Sequence, residues 1–219
     1  MKVVAFVPIK LNSQRVKNKN IRNLGDKPLL HYVLNNLDKI KTIDDIYVYC
    51  SDPAIKPFLV GRAKYLQRDP ELDRDEVMGD QIYGKFISDI DADIYILAHA
   101  TSPFIEPKSI EIALSKIICS EFDSAHAVTQ QNNFGWFNEE PINFDLNCMP
   151  RTQDITPIYM ETSAFFIFTK SVWENHKRRL GEKIYRSVVS SFEGIDIDDE
   201  QDFALASTLL GSGHQSFKT

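Results

Sequence analysis

The chain has 219 residues, 43% hydrophobic and 26% charged, with a formal net charge of -6. That mix fits one compact α/β domain carrying a small insertion, and a chain of this length buries roughly 70% of its unfolded surface without a disulfide or structural metal. The negative balance argues against a general nucleic-acid binder, whose field must be broadly positive, and no apolar run approaches the ~18 residues of a membrane span.

Cys50, Cys119 and Cys148 are odd in number and match no zinc or redox spacing, so each is expected as a small packed residue in a reducing cytoplasm. The apolar stretch from Met1 to Pro8 is too short for a signal peptide.

In chain order, Val3 to Val7 is a continuous β-branched run closed by Pro8, which predicts a strand buried on both faces of a parallel sheet. A polar loop follows, then Pro28 to Leu37 with apolar residues at helical spacing, then a strand at Ile46 to Tyr49. This βαβ unit repeats with a strand at Ile94 to Ala98, a helix at Ser109 to Ile118 and a strand at Ser124 to Val128, giving a three-layer α/β fold with a mostly parallel sheet. The alternation breaks between Thr129 and Pro157, a stretch rich in Asn, Gln, Pro and aromatic residues. We read it as a small lobe, at about 129–160, inserted in a single domain spanning 1–219. A strand at Ala164 to Phe168 and a closing helix at Asp199 to Leu210 complete the chain.

Charge is not spread evenly. Between Lys10 and Lys27 stand Lys10, Arg15, Lys17, Lys19, Arg22 and Lys27 against the single acid Asp26, so an acidic chain opens with a basic loop. The loop follows the first strand, where ligands bind in open parallel sheets. Its cations suit a triphosphate, with Ser13 and backbone N–H groups adding hydrogen bonds. A solvated surface loop is the alternative. Neither a Walker A pattern nor GxGxxG is present.

Late in the chain, Asp196 and Asp198 alternate along an extended segment, which puts both carboxylates on one side. Two hard oxygen donors suit magnesium held jointly with substrate phosphates. The competing reading is an acidic turn in which Asp199 and Glu200 cap the last helix. His99 stands at the end of a predicted interior strand and is either a structural hydrogen-bonder, a sugar ligand or an aid to deprotonation.

Five stretches, taken in order, resemble the acylneuraminate cytidylyltransferase family, which includes the CMP-sialic acid synthetases and is similar to the CMP-Kdo synthetases. They are the loop Pro8 to Asn20, Val48-Tyr49-Cys50-Ser51-Asp52, Ala100-Thr101-Ser102-Pro103-Phe104, Arg151-Thr152-Gln153-Asp154 and Gly194-Ile195-Asp196-Ile197-Asp198. The resemblance implies a Rossmann-like nucleotidyltransferase that joins CMP from CTP to an acidic 2-keto-3-deoxy sugar with Mg2+ and releases pyrophosphate. It also implies a homodimer built by the lobe, which reaches toward the partner's active site. A sugar-phosphate nucleotidyltransferase would open on a Gly-rich loop, which Leu11-Asn12-Ser13 is not.

By that resemblance Lys10, Lys19 and Asp198 are the expected catalytic residues. CTP would meet Lys10, Asn12, Ser13, Arg15, Lys19, Asn20, Arg68 and Asp80, with Arg68 near cytosine and ribose unless it forms only a surface ion pair. The sugar would meet His99, Thr101, Ser102, Arg151, Gln153 and Glu161, with Arg151 and Gln153 facing its carboxylate. Asp196 and Asp198 would hold the metal.

Several positions depart from the family pattern. Lys10 replaces the usual Arg and loses its bidentate fork. Gln14-Arg15 leans toward the Ser-Arg of the Kdo enzymes, His99 replaces a Gln, and Glu161-Thr162-Ser163-Ala164 lacks the Asn of Glu-Asn-Gly-Ala. These departures leave open Kdo, a legionaminic or pseudaminic acid, or a phosphonate; a nucleotide-binding protein without turnover is a separate rival, against which Lys19, Asp196 and Asp198 together argue. Trp136, Phe137 and Tyr159 are expected in the core, with a sugar platform or dimer contact as the alternatives.

Overall fold

The computed structural model describes residues 1–13 and 15–211; Gln14 of the basic loop lies outside them. In chain order the strands are β1 (Val3–Ile9), β2 (Asn23–Leu24), β3 (Lys27–Pro28), β4 (Asp45–Cys50), β5 (Ala63–Gln67), β6 (Ile94–Ala98), β7 (Ser124–Gln131), β8 (Trp136–Phe137), β9 (Glu140–Pro141), β10 (Ile158–Thr169) and β11 (Ile184–Val189). The helices are α1 (Leu29–Lys39), α2 (Gly79–Asp89), α3 (Pro107–Ile118), α4 (Lys170–His176) and α5 (Glu200–Gly211).

Seven strands form one sheet in the order β11-β7-β10-β6-β1-β4-β5. All its pairings are parallel except those of β10, which runs antiparallel to both β6 and β7. The chain therefore folds as a mixed, mostly parallel α/β sheet. Because β4 and β5 extend it from one side of β1 and β6 from the other, the strand order reverses at β1. A ligand crevice is expected there, beside the loops leaving β1 and β6.

The continuous apolar run of β1 is explained by its two faces. Val3, Ala5, Val7 and Ile9 pack with Leu30, Val33, Leu34 and Leu37 of α1 and with α3. Val4 and Phe6 pack on the opposite layer with Tyr83 and Phe86 of α2 and Trp173 of α4, Phe6 stacking on Phe86 at 4.1 Å between centroids. Pro8 lies within β1 rather than closing it; pairing to β6 has ended at Phe6–Leu97, so Pro8 keeps a partner strand only toward β4.

Three expectations need correction. Trp136, Phe137 and Tyr159 are 54%, 69% and 38% exposed, so these aromatics are surface and not core. Cys119 and Cys148 are exposed too, and only Cys50 is packed. The segment carrying Asp196 and Asp198 is not part of the sheet, although Ile197 N–H donates to the Thr101 carbonyl at 2.8 Å.

A third apolar cluster sits beneath the basic loop. Val16 and Ile197, neither exposed to solvent, pack with Leu24, Leu29, Phe104, Phe203 and Ala206. Val16 is flanked by Arg15 and Lys17, and Ile197 by Asp196 and Asp198. Burying the two apolar residues in one cluster thus forces a cationic and an anionic segment, far apart in sequence, into contact. Ile197→Ala is expected to cost about 2–3 kcal/mol in chemical denaturation and to loosen the contact between the two charged segments. A loss under about 0.5 kcal/mol would show that the staple does not carry this arrangement.

Candidate functional site

The crevice at the β1 switch point collects side chains from four chain segments. From the basic loop, Lys19 is 9% exposed and its Nζ donates to the Ile197 carbonyl at 2.7 Å, while lying 3.7 Å from Asp198 Oδ1. Arg15 Nη2 reaches the same Asp198 oxygen at 2.9 Å. The loop closes on itself at the Lys10 carbonyl, which accepts from Asn20 Nδ2 at 3.0 Å and Ser13 Oγ at 3.3 Å. Lys10 Nζ points the other way, donating to the Asp73 carbonyl and to Asp75 Oδ1. Asn12, exposed, lines a shallow cleft with Ser51, Asp52 and Asp73.

Arg68 does not form a surface ion pair. It is 2% exposed and uses four of its five N–H groups on the Asp73 carboxylate, the Tyr49 carbonyl and the Ile9 carbonyl, at 2.5 to 3.3 Å. It therefore ties the ends of β1 and β4 to the Asp73 turn and forms the floor of a cleft of about 320 Å³ whose wall includes Lys10, Asp75 and Tyr83. Asp80 stands exposed in the first turn of α2, outside that lining.

The second wall comes from β6 and its loop. His99 Nδ1 lies 2.5 Å from the Ser163 carbonyl, and since a carbonyl only accepts, Nδ1 carries the proton and Nε2 is left as an acceptor in the neutral ring. Burial holds the imidazole below its ordinary pKa, with the Ser163 bond and the Asp196 charge opposing and Arg179 assisting. The partner carbonyl is available because β10 loses register between Glu161 and Phe166. Ser102 is 1% exposed and its Oγ has no hydrogen-bond partner among the described residues, whereas Thr101 contributes its carbonyl to Ile197.

The helix cap beyond this segment is made by other acids. Asp199 Oδ1 accepts from Gln201 and Asp202 N–H, and Asp202 Oδ2 accepts in return from Asp198 and Asp199 N–H. Glu200 is taken by Arg22. The Asp196 and Asp198 carboxylates are thus not used in capping. Asp196 Oδ1 is buried without a hydrogen-bond partner among the described residues, an arrangement that is costly unless a cation or proton fills it. The described residues contain no cluster of three His, Cys, Asp or Glu around one point. Two carboxylates that leave the other positions to substrate oxygens match how magnesium binds nucleotides, so the donor set fits Mg2+.

The remaining sugar candidates are dispersed. Glu161 bridges His126 Nδ1 at 2.8 Å and Arg179 Nη2 at 3.2 Å. Arg151 is exposed and pairs with Asp154 at 2.6 Å, and Gln153 is exposed beside it; no hydrogen bond or ion pair among the described residues joins either to the Lys19–Asp198 group. Sequence reasoning passes over Asp73, Tyr83 and Arg179, which lie in no motif and reach the site only through tertiary contacts.

Comparison with known proteins bears on the fold and on the family. Among solved structures, a CMP:2-keto-3-deoxy-manno-octonic acid synthetase complexed with CTP aligns with a TM-score of 0.71 and 15% identity over 97% of this chain and all of that one. A 4-diphosphocytidyl-2C-methyl-D-erythritol synthase from Anaerococcus prevotii aligns at 0.65 with 12% identity, covering 96% of each chain. At these identities the likeness shows the fold alone.

By sequence, the chain is 29% identical to N-acylneuraminate cytidylyltransferase B of Danio rerio over 214 residues, covering 92% of this chain and 50% of that protein. It is 25% identical to the pseudaminic acid cytidylyltransferase of Campylobacter jejuni, covering 99% of both. The chain spans about half the length of the N-acylneuraminate relatives it matches. The cytidylyltransferase family model matches residues 4–209, and on that match the chain belongs to the cytidylyltransferase family.

Proposed function

We propose that the chain transfers CMP from CTP to an acidic 2-keto-3-deoxy sugar of the nonulosonic class and releases pyrophosphate. The observation that carries this reading is the meeting of the basic loop with Asp198, Lys19 Nζ lying 3.7 Å from its carboxylate at the strand-order reversal. A hydroxyl of the sugar attacks the α-phosphorus, the bond to the β-phosphate oxygen breaks, and pyrophosphate leaves with the charge. Lys10, Arg15 and Lys19 neutralise the triphosphate and the departing pyrophosphate, Arg15 exchanging Asp198 for phosphate as CTP enters. Asn12, Ser13 and Asn20 supply hydrogen bonds in the same loop. Arg68 acts mainly as a buttress of the nucleotide cleft, holding Asp73 and through it the Lys10 side chain.

Asp196 and Asp198 would hold Mg2+, which when bound supplies charge neutralisation on the phosphates. His99 Nε2 is the free acceptor at this edge and takes the hydroxyl proton as it leaves; the Thr101 carbonyl holds the Ile197 segment that faces it, and the Ser102 hydroxyl is left for the sugar. Trp136, Phe137, Ile142, Leu146 and Met149, all more than half exposed, make residues 129–160 the surface on which two copies pair. Sedimentation is expected to find a dimer, and monomer alone at working concentration would contradict that pairing.

The test of function is pyrophosphate release from CTP and Mg2+ across purified 2-keto-3-deoxy acids, with UTP and ATP beside CTP and with EDTA. Turnover is expected with CTP and at least one nonulosonic acid, and EDTA should abolish it. Turnover with UTP but not CTP would overturn the base assignment.

A further inference from the structure

Asp196 keeps one carboxylate oxygen buried and without a hydrogen-bond partner among the described residues, although an unrestrained carboxylate would turn to water to escape that cost. Holding it there requires a backbone fixed on both sides. The downstream anchor is Ile197, buried and hydrogen-bonded to the Thr101 carbonyl. The upstream anchor is the turn at 190–194, which leaves β11 and leads into the aspartate segment.

Glu193 ties that turn to α3. Its Oε1 accepts from Glu106 N–H at 3.1 Å and from Ser109 Oγ at 2.6 Å, while Oε2 accepts from Ser190 N–H and Ser190 Oγ, each at 3.2 Å. Glu106 makes no side-chain cap of its own, so the N-terminus of α3 is capped by an acid 87 residues away, where the helix dipole favours negative charge. Four donors fill the lone-pair sites of this carboxylate and leave it none to offer a metal. Glu193 can therefore act on the site only through the turn.

Two packing contacts complete the anchor. The Phe192 ring lies 4.3 Å from that of Phe104, on the loop after β6. Gly194, whose N–H donates to the Ser190 carbonyl at 3.0 Å, sits so close to β7 and β10 that a Cβ there would meet Thr129 Cγ2 at 2.4 Å and Thr162 Cγ2 at 3.2 Å. A side chain at 194 would push the turn off the sheet two residues before Asp196. We propose that Glu193 is a positioning residue for the Asp196 carboxylate, locking the 190–194 turn onto α3 with Gly194 seated against Thr129. The assignment rests on the proposed reading of Asp196 and Asp198 as the Mg2+ site.

The experiment measures Mn2+ binding with and without CTP by electron paramagnetic resonance, beside pyrophosphate release and thermal melting. It compares wild type with Glu193→Ala, Glu193→Gln, Gly194→Ala, Gly194→Ala combined with Thr129→Ser, and Asp196→Asn. Thr169→Ala, which removes the unrelated cap of α4, is the control for lost stability. Glu193→Ala is expected to weaken Mn2+ binding by about 10- to 100-fold, and Glu193→Gln, which keeps one acceptor oxygen, by less. Gly194→Ala should weaken it too, and Thr129→Ser, which deletes the obstructing methyl, should restore most of the loss. Thr169→Ala should lower the melting temperature and leave Mn2+ affinity unchanged. In a wild type that turns over, unchanged Mn2+ affinity in folded Glu193→Ala, an equal loss in Thr169→Ala, or an affinity untouched by Asp196→Asn would overturn the assignment and leave the transfer reaction standing. If Glu193→Ala does not fold, Glu193→Gln and the Gly194 pair decide by the same readout. Mn2+ binding that depends on Glu193, with no turnover of any acid, would uphold the assignment and overturn the function. A wild type that neither binds Mn2+ nor turns over would overturn both.

Discussion

Asp198→Asn is expected to lower pyrophosphate release by about a thousandfold while leaving the melting temperature nearly unchanged. The substitution keeps shape and removes one charge. Asp198 is half exposed and its pair with the exposed Arg15 lies at the surface of the crevice, where ion pairs add little to stability, while the buried Lys19 stands farther off at 3.7 Å. The backbone link that fixes the segment, Lys19 Nζ to the Ile197 carbonyl, does not involve the carboxylate and should persist. On the proposed function, what is lost is a hard oxygen donor next to the phosphates and the counter-charge that orders Arg15 and Lys19 before CTP arrives. Steady-state kinetics together with a thermal melt check this. Full activity in a folded variant would refute the role given to Asp198.

Arg68→Met should behave in the opposite way, with stability lost first. The guanidinium is almost fully buried and its partners are a carboxylate and two strand-end carbonyls. Removing it strands Asp73, a group that Ser51 also donates to. Breaking one partner out of a buried pair costs about 3–5 kcal/mol, which in a domain of this size lowers the melting temperature by roughly 10 °C. The double variant Arg68→Met with Asp73→Leu should recover part of that loss, because no charge is then left buried alone. A melting temperature unchanged by Arg68→Met would mean that the pair is not a structural tie.

The parts of the fold that can be read from the residues are those with one-dimensional signatures. β1, β4 and β6 are buried runs, and α1 and α3 keep apolar residues on one face. β5 and β11 carry no such signature because they are the two edges of the sheet, half exposed and mixed in composition. α2 carries two glycines and buries only Tyr83 and Phe86, and α4 is seven residues long, so neither has a strong period.

The site divides along the same line. The basic loop and the late aspartates are local patterns of charge, legible in the order of the residues alone. Glu193 has no such pattern; its place follows from bonds to Glu106 and Ser109 at the start of α3, contacts that only the assembled fold creates. Arg151 is the converse case, a residue in a recognisable motif that stands apart from the crevice within this chain.

The most direct test of the Lys19–Asp198 crevice as a nucleotide and metal site is anomalous diffraction from crystals grown with CTP and Mn2+. The metal peak is expected within bonding distance of Asp196 or Asp198 and of the triphosphate, with phosphate oxygens hydrogen-bonded to Lys19. A nucleotide bound elsewhere, or a metal peak remote from both aspartates, would contradict it.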